Sequence, residues 1–118
     1  MAVDKVMRPG QLHPNEFEVA LLERLLAENA LPFSSSDLHV LSRTYTGVGS
    51  FTKLLVQNHP KVKRKVLGIS AAIRIPGLEH GLGFVAFYEG EELTLETFTC
   101  GDEKWDGVFE GFQLQANL

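Results

Sequence analysis

The residues with most chemical potential crowd into "TFTCGDEKWDG", residues 97–107, which holds the chain's only cysteine, two adjacent carboxylates and its only tryptophan. Cys100 and one of the four histidines could form a nucleophile–base pair. A reactive thiolate needs a positive neighbourhood. Asp102 and Glu103 supply the opposite field, so Cys100 reads as a small residue closing a strand. Gly101-Asp102 is a turn signal. Trp105, just beyond it, presents the large flat surface favoured at interface hot spots, and a carboxylate rim discriminates partners by charge. Asp102, Glu103 and Trp105 are therefore candidates for contact with a partner protein, not for bond-making chemistry. The competing expectation is that Trp105 folds back to plug the open end of a sheet.

A second constellation lies in strands. Arg43, Arg74 and Glu96 each fall inside a predicted strand among apolar or hydroxyl neighbours, where a charge must be paired or exposed. Convergence of the three, with His80, would make a shallow polar pocket for a small anion or a partner's carboxylate. Otherwise they face water on an open side of the sheet. No catalytic residue is assigned, and no G-x-S-x-G elbow is present. His13, His39, His59 and His80 are scattered, with no i, i+2 or i, i+4 pair, and Cys100 has no second thiol. Neither a metal nor another cofactor is expected. "TGVGS" at 46–50 lacks phosphate-loop spacing and precedes a strand instead of a helix, so Gly47 and Gly49 read as turn residues.

The elements that must position these residues begin with "PNEFEVALLERLLAENALP". Asn15 is a plausible N-cap and Glu18 falls at N3, the reciprocal position of a capping box. Phe17, Leu21 and Leu25, with Ala20, Leu22 and Leu26, recur at three and four residues and make one apolar face; Glu16, Glu23, Arg24 and Glu28 point to water. The spacing predicts a helix over about 15–29, ended by Asn29 and Pro32. The period then changes. "DLHVLSRTYTG" and "SFTKLLVQ" read as two strands around "GVG". "KVLGISAAIRIPG" follows as a strand, with Leu67, Ile69, Ala71, Ile73 and Ile75 alternating on one face. "GLGFVAFYEGEELTLETFT" reads as two strands around Glu89-Gly90, with Leu82, Phe84, Ala86 and Tyr88 on one face of the first and Leu93, Leu95, Thr97 and Thr99 on one face of the second. A short last strand is placed in "FEGFQL". Links this short make antiparallel neighbours. The expected fold is α+β: one N-terminal helix packed on a curved antiparallel sheet of five to six strands.

With 118 residues, the chain is expected to form a single domain over 14–118, preceded by an extended arm at 1–13. Its net charge of −4 argues against a general nucleic-acid binder, whose affinity rests on phosphate contacts. The basic run "HPKVKRK" at 59–65 reads as a solvated turn between strands, with an acidic partner as the alternative. A lone cysteine suits a reducing compartment. No apolar run has signal-peptide or membrane-span length, so a soluble cytoplasmic protein without membrane association is expected.

"TYTGVGSFTKL" at 44–54 and "GLEHGLGFVAFYEGEELTLETFTCGDEKW" at 77–105 resemble a small uncharacterised bacterial family. Its marks are a T-G-x-G hairpin, a G-x-G-F-[VI] strand and a closing stretch with a G-[DE]-x-W motif. Ser50 stands where the family pattern has an aromatic and Cys100 where it has tyrosine. The resemblance implies a compact intracellular bacterial domain and carries no activity with it.

Two functional readings follow. The first is a non-catalytic bacterial protein-binding module, with immunity and antitoxin proteins among its candidates. The second is a small-molecule binder or enzyme using Arg43, Arg74, Glu96 and His80, which requires those side chains to converge in one concavity. Apolar residues on both faces of "GFVAFY" leave a sheet face wanting a cover, and a homodimer through the sheet is the expected solution.

Overall fold

The N-terminus of the helix is locally encoded. Asn15 Oδ1 accepts from the Glu18 amide at 2.8 Å and the Asn15 amide donates to Glu18 Oε1 at 2.8 Å, which completes the capping box. In the computed structural model, which describes residues 13–31, 33–56, 62–68 and 71–116, helix α1 spans Glu16–Glu28 and buries Phe17, Leu21, Leu22, Leu25 and Leu26. Beyond the Asn29 C-cap, Ala30 takes a positive φ of 49° and Leu31 donates to the Leu26 carbonyl, the reversal that more commonly uses glycine. The N-terminal arm up to residue 12 and Pro32 lie outside the described residues. No helix among the described residues is long and apolar enough to cross a membrane.

A short 3-10 turn, Ser35–Asp37, leads into seven strands: β1 Leu38–Tyr45, β2 Gly49–Val56, β3 Val62–Leu67, β4 Ala71–Arg74, β5 Leu82–Gly90, β6 Glu92–Thr99 and β7 Gln113–Ala116. All their pairings are antiparallel. The order across the sheet is β1-β2-β6-β5-β4-β7, with β3 joined to β5 off this path. The sheet is open, not a closed barrel, and the fold is α+β.

Three strand boundaries differ from the sequence reading. The apolar alternation through 67–75 is not one strand. It breaks after Leu67, and the pieces β3 and β4 pair successive parts of the same edge of β5, Ala86–Gly90 and Leu82 respectively. Ile69 lies outside the described residues. Part of the basic run is strand, not turn: Lys63, Arg64 and Lys65 belong to β3, while His59 and Lys61 lie outside the described residues. The last strand falls at 113–116 because 109–112 form a turn closed by Phe112 N–H donating to the Phe109 carbonyl.

Registers assign the faces. Arg43, Thr52, Leu95 and Ala86 stand opposite one another in turn across β1, β2, β6 and β5, on the face that α1 covers. Phe51, Glu96 and Val85 form the next row and point the other way, because strand side chains alternate. Under the helix lie two apolar clusters. One joins Leu22, Leu25 and Leu26 to Val40, Leu54, Leu93 and Leu95; the other joins Phe17 and Leu21 to Ile73, Ile75, Leu82 and Trp105. Phe84 packs against both.

Candidate functional site

Three polar arrangements result, and none brings the expected pocket together. The first lies under the helix. Glu18 is buried, 4% exposed, yet it faces the sheet, where Arg43 reaches it with two bonds, Nε to Oε2 and Nη2 to Oε1, both 2.7 Å. Thr52 donates to Glu18 Oε2 at 3.2 Å, and Arg43 Nη2 also donates to the His13 carbonyl. Hydrogen bonding to Glu18 raises the guanidinium pKa against the opposing effect of burial. Beside this pair the Ser50 and Thr97 hydroxyls bond at 2.6 Å. Glu18, Ser50, Thr52 and Thr97 border a narrow internal space of about 10 Å³, about the size of one water.

The second arrangement is the stretch that drew attention in the sequence. It interlocks with the β1–β2 turn: Trp105 N–H donates to the Gly47 carbonyl at 2.9 Å and Thr99 N–H to the Val48 carbonyl at 2.8 Å. Gly47 has a φ of +88°, a conformation glycine adopts without a Cβ penalty. The β1–β2 turn and the stretch after β6 are thus neighbours in space. Trp105 is 4% exposed. Its ring meets Phe17 edge-on at 6.3 Å and Tyr45 at 5.9 Å, and its Nε1 donates to the Val108 carbonyl at 2.9 Å. The expectation of an indole held out to anchor a partner gives way here to the plug: its apolar surface is already packed inside its own chain. Glu103 is a clamp. Its carboxylate accepts from the Glu79 and His80 amides at 2.7 and 3.0 Å, fastening this stretch to the β4–β5 loop. Asp102 stays in an exposed turn. Between the two segments, Pro76, Leu78, Lys104 and Trp105 line an open groove of about 340 Å³.

The clamp implies a pH effect. Backbone donation from His80 and Glu79 lowers the Glu103 pKa from its ordinary 4.5. A carboxylate whose folded pKa is depressed contributes stability above its unfolded value and loses it as pH falls through the folded one. Melting temperature measured below about pH 4.5 should therefore depend less steeply on pH in Glu103→Gln than in the parent. An identical slope in both would show that the clamp contributes nothing.

The third arrangement is the uncovered face. Phe51, Phe98 and Val66 are exposed there by 40%, 42% and 65%, with Val85 and Phe87 half-buried among them. The Arg64 guanidinium lies over the Phe87 ring, 4.7 Å from its centroid. Phe51, Phe87 and Thr94 bound a depression of about 450 Å³ rimmed by Lys53, Arg64, Glu89 and Glu92.

The Arg43, Arg74, Glu96 and His80 pocket does not form. Arg43 is on the helix-covered face and engaged by Glu18. Glu96 is on the opposite face, one register position away. Arg74 follows Ile73 of the core-facing row and so faces with Glu96, but on β4, beyond β5. His80 sits in the loop with its ring exposed, 3.7 Å from Glu79. Sequence reasoning missed Glu18 as the partner of Arg43. Its signal was a carboxylate next to Phe17, on the apolar side of the helix, where the capping box alone was taken to explain it. Among the described residues no group of three His, Cys, Asp or Glu side chains is gathered as metal ligands would be. Comparison with protein-family models, with curated proteins and with solved structures found no match for the chain.

Proposed function

We propose that this protein is a non-catalytic binding module that engages another protein through the uncovered face of its sheet. The observation that carries the reading is that face itself: Phe51, Phe98 and Val66 are exposed together on the side α1 does not cover, and clustered exposed apolar residues mark interaction surfaces. The alternative, a small-molecule site built from Arg43, Arg74 and Glu96, loses its premise because those side chains divide between two faces. The negative charge of −4 is in keeping with a binder of the immunity or antitoxin type, acting on a partner less acidic than itself.

The test is quantitative capture from the cell of origin with the wild-type protein, the double variant Phe51→Ser/Phe98→Ser and Asp102→Lys. Loss of one defined partner in the double variant, with an unchanged melting temperature, is expected. Exposed cross-strand pairs contribute only about 0.2–1 kcal/mol each, so the fold should survive. Retention of that partner by the double variant and its loss in Asp102→Lys would move the interface to the Trp105 end. A homodimer through the same face is the other occupant, read by sedimentation.

A further inference from the structure

We infer that Glu96, bordered by Phe51 and Phe98, receives an arginine side chain presented by the partner protein; this rests on the binding-module reading above. Glu96 is half-buried in the middle of the uncovered face. Phe51 stands directly opposite it on β2 and Val85 on β5, and Phe98 is the next residue of β6 on the same side. Directly opposed residues have their Cβ atoms about 4.5–5.5 Å apart, so the carboxylate is hedged by apolar groups. Among the described residues it takes part in no hydrogen bond or ion pair. A charge partly withdrawn from water without a counter-charge is costly, and a cation from outside removes that cost.

Among the described residues none of the chain's own cations on this face is paired with Glu96: Arg74 is two strands away on β4, beyond β5. Lys53 stands opposite Thr94, diagonal to Glu96. Arg64 is stacked on Phe87, which demonstrates that phenyl rings of this face accept a guanidinium. Phe98, exposed beside Glu96, offers a ring for the same role. Its ring lies against Gly83 of β5, where an added Cβ would collide with it. The missing side chain at 83 leaves room for the ring to rest against the sheet. Arginine suits the site better than lysine because its planar, weakly hydrated guanidinium can bond a carboxylate and stack on a ring together.

The neighbouring depression of about 450 Å³ over Thr94 has room for a second side chain of the same segment, which points to a polypeptide as the source of the cation. A second copy of this chain fits less well. A twofold axis through the middle of the face would set Glu96 against Glu96, and like charges in apposition oppose association.

The experiment is an NMR titration of the labelled full chain with Ac-Leu-Arg-Leu-amide and with its citrulline counterpart, which keeps the shape and loses the charge. The arginine peptide should shift the amides of Phe51, Glu96 and Phe98 and bind at least about fivefold more tightly than the citrulline peptide. Glu96→Gln should erase that preference, and Glu92→Gln, on the rim, should keep it. Equal binding of the two peptides, or shifts centred on the Trp105 groove, would overturn the proposal. So would sedimentation showing a dimer that Phe51→Ser dissolves, since a second copy would then occupy the face. If Glu96→Gln captures the cellular partner as well as the wild type while Phe51→Ser/Phe98→Ser does not, the arginine site falls and the binding module stands.

Discussion

Trp105→Ala should destabilise the protein by about 3–5 kcal/mol, the range for deleting a large buried aromatic. For a domain of roughly 100 residues that is a fall in melting temperature of more than about 12 °C. The indole fills the space between Phe17, Leu21, Ile73, Ile75, Leu78 and Leu82, so its removal leaves a cavity flanked by both the helix and the sheet. It also leaves the Val108 carbonyl without its Nε1 donor. Trp105→Phe should recover part of the loss, because a phenyl ring restores contacts but not that hydrogen bond. Circular dichroism melts of the three proteins decide the matter. A shift of only a few degrees in Trp105→Ala would mean that the indole does not pack in solution as described here.

Arg43→Ala should be the second severe substitution, about 3–5 kcal/mol by urea unfolding, because it strands a carboxylate that is 4% exposed without its counter-charge. The effects of the two partners are unequal. Arg43 keeps 30% of its side chain in solvent, so Glu18→Leu leaves a cation that water can still reach and an apolar residue of similar volume under the helix. Glu18→Leu should cost less than Arg43→Ala despite losing the reciprocal half of the capping box. The double variant Glu18→Leu/Arg43→Met should be more stable than Arg43→Ala. Equal losses for the two single variants would remove the argument that burial of the acid dominates.

What was legible in the chain was what is local. The capping box of Asn15 and Glu18, the apolar face from Phe17 to Leu26 and the alternation of β5 and β6 each need only residues within a few positions, and all appear in the structure. What was not legible depends on contacts between distant segments. Alternation from Leu67 to Ile75 continues smoothly through Gly68, so nothing local announces that β3 and β4 divide the edge of β5 between them. Arg43 was recognisable as a charge in need of a partner, but its partner lies on the helix, on the far side of a loop and a strand start. For Trp105 the residue type was informative and the destination was not: an indole plugging its own fold and one reaching for another molecule look alike until the Gly47 turn is known to meet it. The faces of Arg43 and Glu96 required the register of β1, β2 and β6, in which a shift of one residue exchanges the two sides.

The division of the edge of β5 also bears on how the molecule comes apart. Among the described residues β4 meets β5 in register at Ile73 and Leu82, whereas β6 follows β5 from Leu82 to Glu89, and the β7 pairing described is with β4. Among the described residues the β4–β7 corner is therefore tied to the rest less by backbone ladder than by the side chains around Trp105. Amide protons in that corner should exchange through a sub-global opening, while those of β2, β5 and β6 wait for complete unfolding. Such an opening loosens the packing around the only tryptophan, so its fluorescence follows the melting of one corner, while the side of β2 and β6 that carries Phe51, Glu96 and Phe98 keeps its shape.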